Sequence, residues 1–136
     1  MVFVLDASVA AAWAFDDEDH PVARAAGGQL RTGEAITPAL WWFELRNALV
    51  VNERRGRITE AGTAAFLRTV ARLPIATDRT PVEDDVLALA RRHRLTVYDA
   101  AYLELARRLA APLATLDAAL ATAAAAEGVT LDRTAS

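Results

Sequence analysis

The chain has 136 residues, 54% hydrophobic and 24% charged, which is the size and composition of one soluble globular domain, expected to span residues 1–136. It has no cysteine, which excludes disulfides, thiolate zinc, iron–sulfur clusters and a cysteine nucleophile; its two histidines, His20 and His93, are too few for a multi-histidine metal site. All fifteen basic residues are arginines, which excludes Schiff-base chemistry and the P-loop, and the net charge is −3.

The start, Met1-Val2-Phe3-Val4-Leu5-Asp6, lacks a basic region and a cleavage site, so it is read as part of the fold rather than as a leader. Val2–Leu5 is an unbroken apolar run that predicts a buried strand, with a helix starting at Asp6-Ala7-Ser8 and running through Ala10 to Phe15. An acidic turn, Asp16 to Asp19, precedes a helix from Pro21 to about Leu30. Ala35-Ile36-Thr37 predicts a second strand, and Pro38 opens a long helix ending near Gly56, with Trp41, Leu45, Ala48, Leu49 and Asn52 at helical spacing. A further helix is expected from Thr59-Glu60 to about Leu73, a strand at Pro74–Thr77, and a helix from Pro81 to Arg92 with acids early and arginines late. Leu95-Thr96-Val97 and Pro112–Thr115 predict two more strands, each followed by an aspartate and a helix, and Val129–Leu131 a last edge strand, with fraying from Asp132 onward. No apolar run reaches the roughly 20 residues of a membrane helix. Alternating strands and helices imply an α/β fold with a mainly parallel central sheet covered on both faces.

Three junctions carry an aspartate just after a strand: Asp6, Asp99 and Asp117. In such a sheet the carboxyl ends of the strands share one edge, where open α/β proteins bind ligands, so the three aspartates are expected in one crevice. Helix N-capping is the competing explanation for each taken singly. Glu44 is the sharper candidate, since it stands mid-helix among Trp41, Trp42 and Phe43 with no cation one turn away. Glu104, with Arg107 and Arg108 at helical spacing, reads instead as a solvated ion pair, and Glu53 with Arg57 similarly. Converging anions need a cation, and oxygen ligands alone suit Mg²⁺ or Mn²⁺. Setting these four acids aside leaves fourteen against fifteen arginines, so the net charge does not exclude a nucleic-acid partner.

Val4-Leu5-Asp6-Ala7-Ser8-Val9, Phe43-Glu44-Leu45-Arg46-Asn47-Ala48-Leu49, Tyr98 to Ala106 and Leu113-Ala114-Thr115-Leu116-Asp117 resemble, in order and spacing, the PIN domain, and more narrowly the VapC toxins of bacterial toxin–antitoxin pairs. The resemblance covers essentially the whole chain. It implies a single three-layer α/β/α domain and a cytoplasmic, commonly homodimeric endoribonuclease using Mg²⁺ or Mn²⁺. It further implies a cognate VapB-type antitoxin as partner and no membrane association. By motif position its metal-site and catalytic acids would be Asp6, Glu44, Asp99 and Asp117, with Ser8 and Thr115 as supporting hydroxyls. Capping for Ser8 and strand propensity for Thr115 stand beside that role. Ala118-Ala119 departs from the polar or basic residues relatives often carry there.

Arg46, Arg91 and Arg92 are candidate RNA-phosphate contacts, against the plainer reading of a surface arginine and a basic helix end. Tyr98, beside Asp99, is a candidate base-stacking residue or a packing residue. His20 and His93 lack sequence partners that would make either a general base. Trp41/Trp42 and Leu67/Val70 would serve an interface or the core. Two other functions compete with the nuclease. One is an aspartyl-phosphate phosphotransferase or receiver, against which the missing lysine counts. The other is a non-catalytic binding module acting by complex formation alone.

Overall fold

An apolar run without a polar face is stable only where both faces are covered, and Val2–Leu5 forms the inner strand β1 with Phe3, Val4 and Leu5 buried. A computed structural model describes residues 1–15, 17 and 19–132. β1 is flanked by β2 (Glu34–Pro38) and β4 (Leu113–Ala114), and β3 (Ile75–Asp78) lies outside β2; the order is β3-β2-β1-β4 and every pairing is parallel. Helices α1 (Ala7–Ala12) and α2 (Pro21–Gln29) join β1 to β2, and α3 (Leu40–Arg54) and α4 (Glu60–Val70) join β2 to β3. Next, α5 (Glu83–His93) and α6 (Val97–Leu109) join β3 to β4, and α7 (Ala118–Ala126) follows.

The chain builds outward from β1 to β3 and then returns to the other side of β1. With right-handed crossovers this reversal places the two sets of helices on opposite faces, giving the expected α/β/α layering around the parallel sheet. The β1/β4 boundary is therefore the topological switch point, where a crevice opens beyond the strand ends. Asp6 follows β1 there, its N–H donating to Ala114 O at 3.0 Å, and Thr115 and Asp117 follow β4. α6 packs across β1, β2 and β4 and also against α5 and α7. Close pairing of the first two strands depends on Gly33: a Cβ there would lie 2.5 Å from Met1 O, which accepts the Glu34 N–H.

Several boundaries differ from the sequence expectation. Leu95-Thr96-Val97 forms no strand. α5 ends in a left-handed Arg94 (φ 54°), Leu95 N–H closes back on Ala90 O, and Thr96 caps α6 by accepting Asp99 N–H at 3.0 Å. Three residues spent on stopping one helix and starting the next leave none for a ladder. Pro38 ends β2 opposite Asp78 instead of opening α3. Val129–Leu131 is reduced to a single parallel bridge between Leu131 and Leu113, because β4 is only two residues long. Asp132 does not fray: it is buried and bonded to Gln29 Nε2. Asp16, Glu18 and residues 133–136, expected in the acidic turn and the fraying end, lie outside the described residues.

The helix-period reading of α3 holds for Trp41, Leu45 and Leu49, which are buried, whereas Trp42 and Phe43 face outward. Glu104 is not solvated. It is 3% exposed, and Arg108 donates from Nε to its Oε2 at 2.7 Å while reaching both oxygens of Asp78. Arg57 bonds Asp17 and Asn52 and covers the ring of Phe15. No helix among the described residues is long and apolar enough to cross a membrane.

Candidate metal and nuclease site

Asp6 occupies the N-cap of α1, yet its side chain makes no capping bond. Its Oδ2 instead accepts from Thr115 Oγ1 at 2.6 Å and from Ser8 Oγ at 2.8 Å. Each hydroxyl also takes a backbone amide of the loop after β4: Thr115 Oγ1 accepts Asp117 N–H at 3.0 Å, and Ser8 Oγ accepts Leu116 N–H at 3.1 Å. The two hydroxyls thus stitch the ends of β1 and β4 together around one carboxylate oxygen. Neither acts merely as a cap or a strand former. Asp117 does cap, accepting Leu120 N–H on Oδ1 at 3.0 Å. The capping reading is thus right for Asp117, and for Asp6 it holds in position only.

Asp99 does not follow a strand as expected. It sits in the first turn of α6, whose cap is Thr96. It reaches the same region because α6 begins above the carboxyl ends of the strands, where a helix N-terminus also favours an anion. Glu44 is half-buried on α3, and its Oε1 accepts a 2.6 Å hydrogen bond from Tyr102 Oη, one turn after Asp99 on α6.

Asp6, Glu44 and Asp99 are shifted upward by burial and by the charge of neighbouring acids. Burial raises the Asp6 carboxyl above the ordinary aspartate range, opposed by the Thr115 and Ser8 hydrogen bonds and reinforced by the charge of Asp117. Burial also raises Glu44, opposed by Tyr102 and reinforced by Asp6 and Asp99. Asp99 is raised by burial, then by Asp117 and Asp6. Among the described residues none of the four meets a cation; every ion pair involves other acids. Nor do any three acids among those residues stand close enough to clasp an ion as they are placed. Binding of a divalent ion among them would require their oxygens to move inward. The donor set is all oxygen and anionic, which fits Mg²⁺ or Mn²⁺ and no softer metal.

The other candidates are placed elsewhere. Arg46 lies back along α3 with its guanidinium 3.8 Å from the centre of the Trp42 ring. Arg92 pairs with Glu127 at 2.8 Å, at the C-cap of α7 and so at the opposite end of that helix from Asp117; Arg91 is exposed. His93 does have a partner, the same Glu127, which makes it part of a structural clamp. Tyr98 is exposed beside Asp99. Tyr102 is a site residue that no motif in the sequence marks. Its spacing of three from Asp99 on one helix was the available signal.

The PIN domain family model matches residues 3–126, nearly the whole chain. The chain belongs to the PIN-domain family. Ribonuclease VapC3 of Pyrobaculum aerophilum is 36% identical over 124 residues, 89% of this chain and 93% of that protein. Among solved structures, PAE2754 of Pyrobaculum aerophilum is 25% identical with a TM-score of 0.72 over 90% of this chain and 84% of that one. The sarcin-ricin loop cleaving toxin VapC20 of Mycobacterium tuberculosis shares the fold at 13% identity, TM-score 0.63, over 98% and 99% of the two chains. FitAcB of Neisseria gonorrhoeae shares it at 18% identity, TM-score 0.56, covering 96% of each. Similarity to VapC proteins thus spans the PIN fold of this chain from β1 to α7.

Proposed function

We propose that this PIN-domain protein is an endoribonuclease and the toxin of a VapBC-type pair, hydrolysing RNA phosphodiesters with water activated by Mg²⁺ or Mn²⁺. The observation that carries the reading is the set of four acids near the switch point that meet no counter-ion among the described residues, whereas Asp78, Glu104 and Glu127 each pair with an arginine. Asp6, Asp99, Asp117 and Glu44 would hold the ion. When bound, that ion would lower the pKa of its water and stabilise charge developing on the phosphate.

The chain's own residues orient that chemistry. Ser8 and Thr115 fix the Asp6 carboxylate by binding one of its oxygens. Asp117 is held by its cap bond to Leu120 N–H. Tyr102 holds Glu44. Asp99 stands in the first turn of α6, within reach of the charges of Asp117 and Asp6. Exposed Tyr98 offers a stacking face for an unpaired base.

A VapB-type antitoxin, a homodimeric state and a cytoplasmic setting belong to the same proposal and rest on the likeness to VapC proteins. An apolar groove of about 320 Å³ between α1/α2 and α4, lined by Trp13, Leu30, Phe66, Val70 and Leu73, suits an apolar antitoxin segment. The test is direct. Purified protein cuts RNA with Mg²⁺ or Mn²⁺, stops with EDTA, and stops in Asp6→Ala and Asp99→Asn. Cleavage that survives either substitution removes this site from the reaction.

A further inference from the structure

Tyr102 is fully buried, and its ring position is set by the core. A buried tyrosine hydroxyl needs a hydrogen-bond partner, and a backbone carbonyl would serve. This one donates instead to a carboxylate, Glu44 Oε1, at 2.6 Å, and accepts Ala7 N–H at 3.4 Å. Ala7 is the first residue of α1, and its amide is one of those a helix start leaves without an intrahelical partner. Asp6, at the N-cap, makes no side-chain capping bond.

We propose that Tyr102 is a positioning residue of the carboxylate site. Its hydroxyl locks Glu44 against the start of α1 and takes up an amide there, so that Asp6 and Glu44 both stay turned toward one divalent ion. The proposal rests on the metal-dependent reading above. A glutamate side chain has several rotamers to lose on binding an ion, and a hydrogen bond from an immobile ring removes that freedom beforehand. The same ring ties the start of α1, after Asp6, to Glu44 on α3 and to α6, which carries Asp99.

The test is Mn²⁺ binding by calorimetry to wild type, Tyr102→Phe, Asp6→Asn, Glu44→Ala and the double variant Tyr102→Phe/Glu44→Ala, with thermal melting in EDTA as the fold control. Loss of an outer hydrogen bond to a metal ligand typically weakens affinity 10- to 100-fold. Tyr102→Phe is expected to weaken Mn²⁺ by about 10-fold or more. In the Glu44→Ala background the same change is expected to do far less, because its target is gone; a merely structural tyrosine would weaken both backgrounds alike. Tight Mn²⁺ binding by wild type that is lost in Asp6→Asn but unchanged in Tyr102→Phe overturns the role of Tyr102 and leaves the metal reading standing. No Mn²⁺ binding by wild type overturns both. If Tyr102→Phe does not fold, NMR of the wild type decides. The Tyr102 hydroxyl proton should be protected from exchange and should shift on Mg²⁺ addition; an unprotected or unresponsive proton contradicts the proposal.

Discussion

Two groups of buried acids in this chain have opposite surroundings. On the flank of the sheet, Glu104 and Asp78 share Arg108, and at the end of α7 Glu127 collects Arg92, His93 and Arg107. At the switch point, Asp6, Glu44 and Asp99 meet hydroxyls and one another. Hydrogen bonds from Arg108 hold the Asp78 carboxyl below the ordinary aspartate range, and His93 and Arg92 do the same for Glu127. Burial pushes the switch-point acids the other way. The first group ties α5, α6 and α7 to each other and to β3. In the second, burial disfavours the charged carboxylates, a cost that a bound cation would offset.

Substitutions can break this contrast. The largest effect on stability is expected for Arg108→Ala, which leaves Glu104 buried without its cation. Removing one partner of a buried pair typically costs about 3–5 kcal/mol, and urea titration would measure it. A loss under about 1 kcal/mol would show that the network is solvated and only loosely held. Metal binding comes next. At 100 times its Kd, Mn²⁺ should stabilise wild type by about 2.7 kcal/mol and leave Asp6→Asn unmoved in thermal melts. In EDTA the order reverses: Asp6→Asn should be the more stable protein by about 1 kcal/mol at neutral pH, since the desolvated charge is gone.

The pH dependence separates the two groups by sign. Asp6, Glu44 and Asp99 have raised folded-state pKa values. The stability they contribute is therefore complete below about pH 4 and lost as pH rises through those raised values. Asp78 and Glu127 are lowered, so their contribution is present above about pH 4 and lost on acidification. The advantage of Asp6→Asn in EDTA should accordingly vanish in acid, whereas the penalty of Arg108→Ala should shrink there. Urea titrations of both variants between pH 3 and pH 8 read both trends. If the two variants follow pH in the same direction, the contrast is lost.

Much of this was legible in the sequence, for identifiable reasons. β1 announced itself because a strand buried on both faces must be apolar throughout. Glu44 stood out because no cation lies one turn away. The end of α5 is hidden in the sequence because its left-handed closing residue is Arg94, where a glycine would mark it, so Leu95–Val97 carries the pattern of a strand. Helical spacing pairs Glu104 with Arg108 but does not reveal that Asp78, distant in sequence, shares the same guanidinium or that Glu104 is buried. The role of Tyr102 is visible only in the fold, which brings α3 and the start of α1 to its hydroxyl.

Anomalous diffraction from crystals grown with Mn²⁺ tests the central claim most directly. A manganese peak bonded to oxygens of Asp6 and Asp99, with Glu44 or Asp117 completing the protein ligands, is the predicted result. A map with no peak between these residues at saturating Mn²⁺, or with the ion bound to other acids, would contradict it.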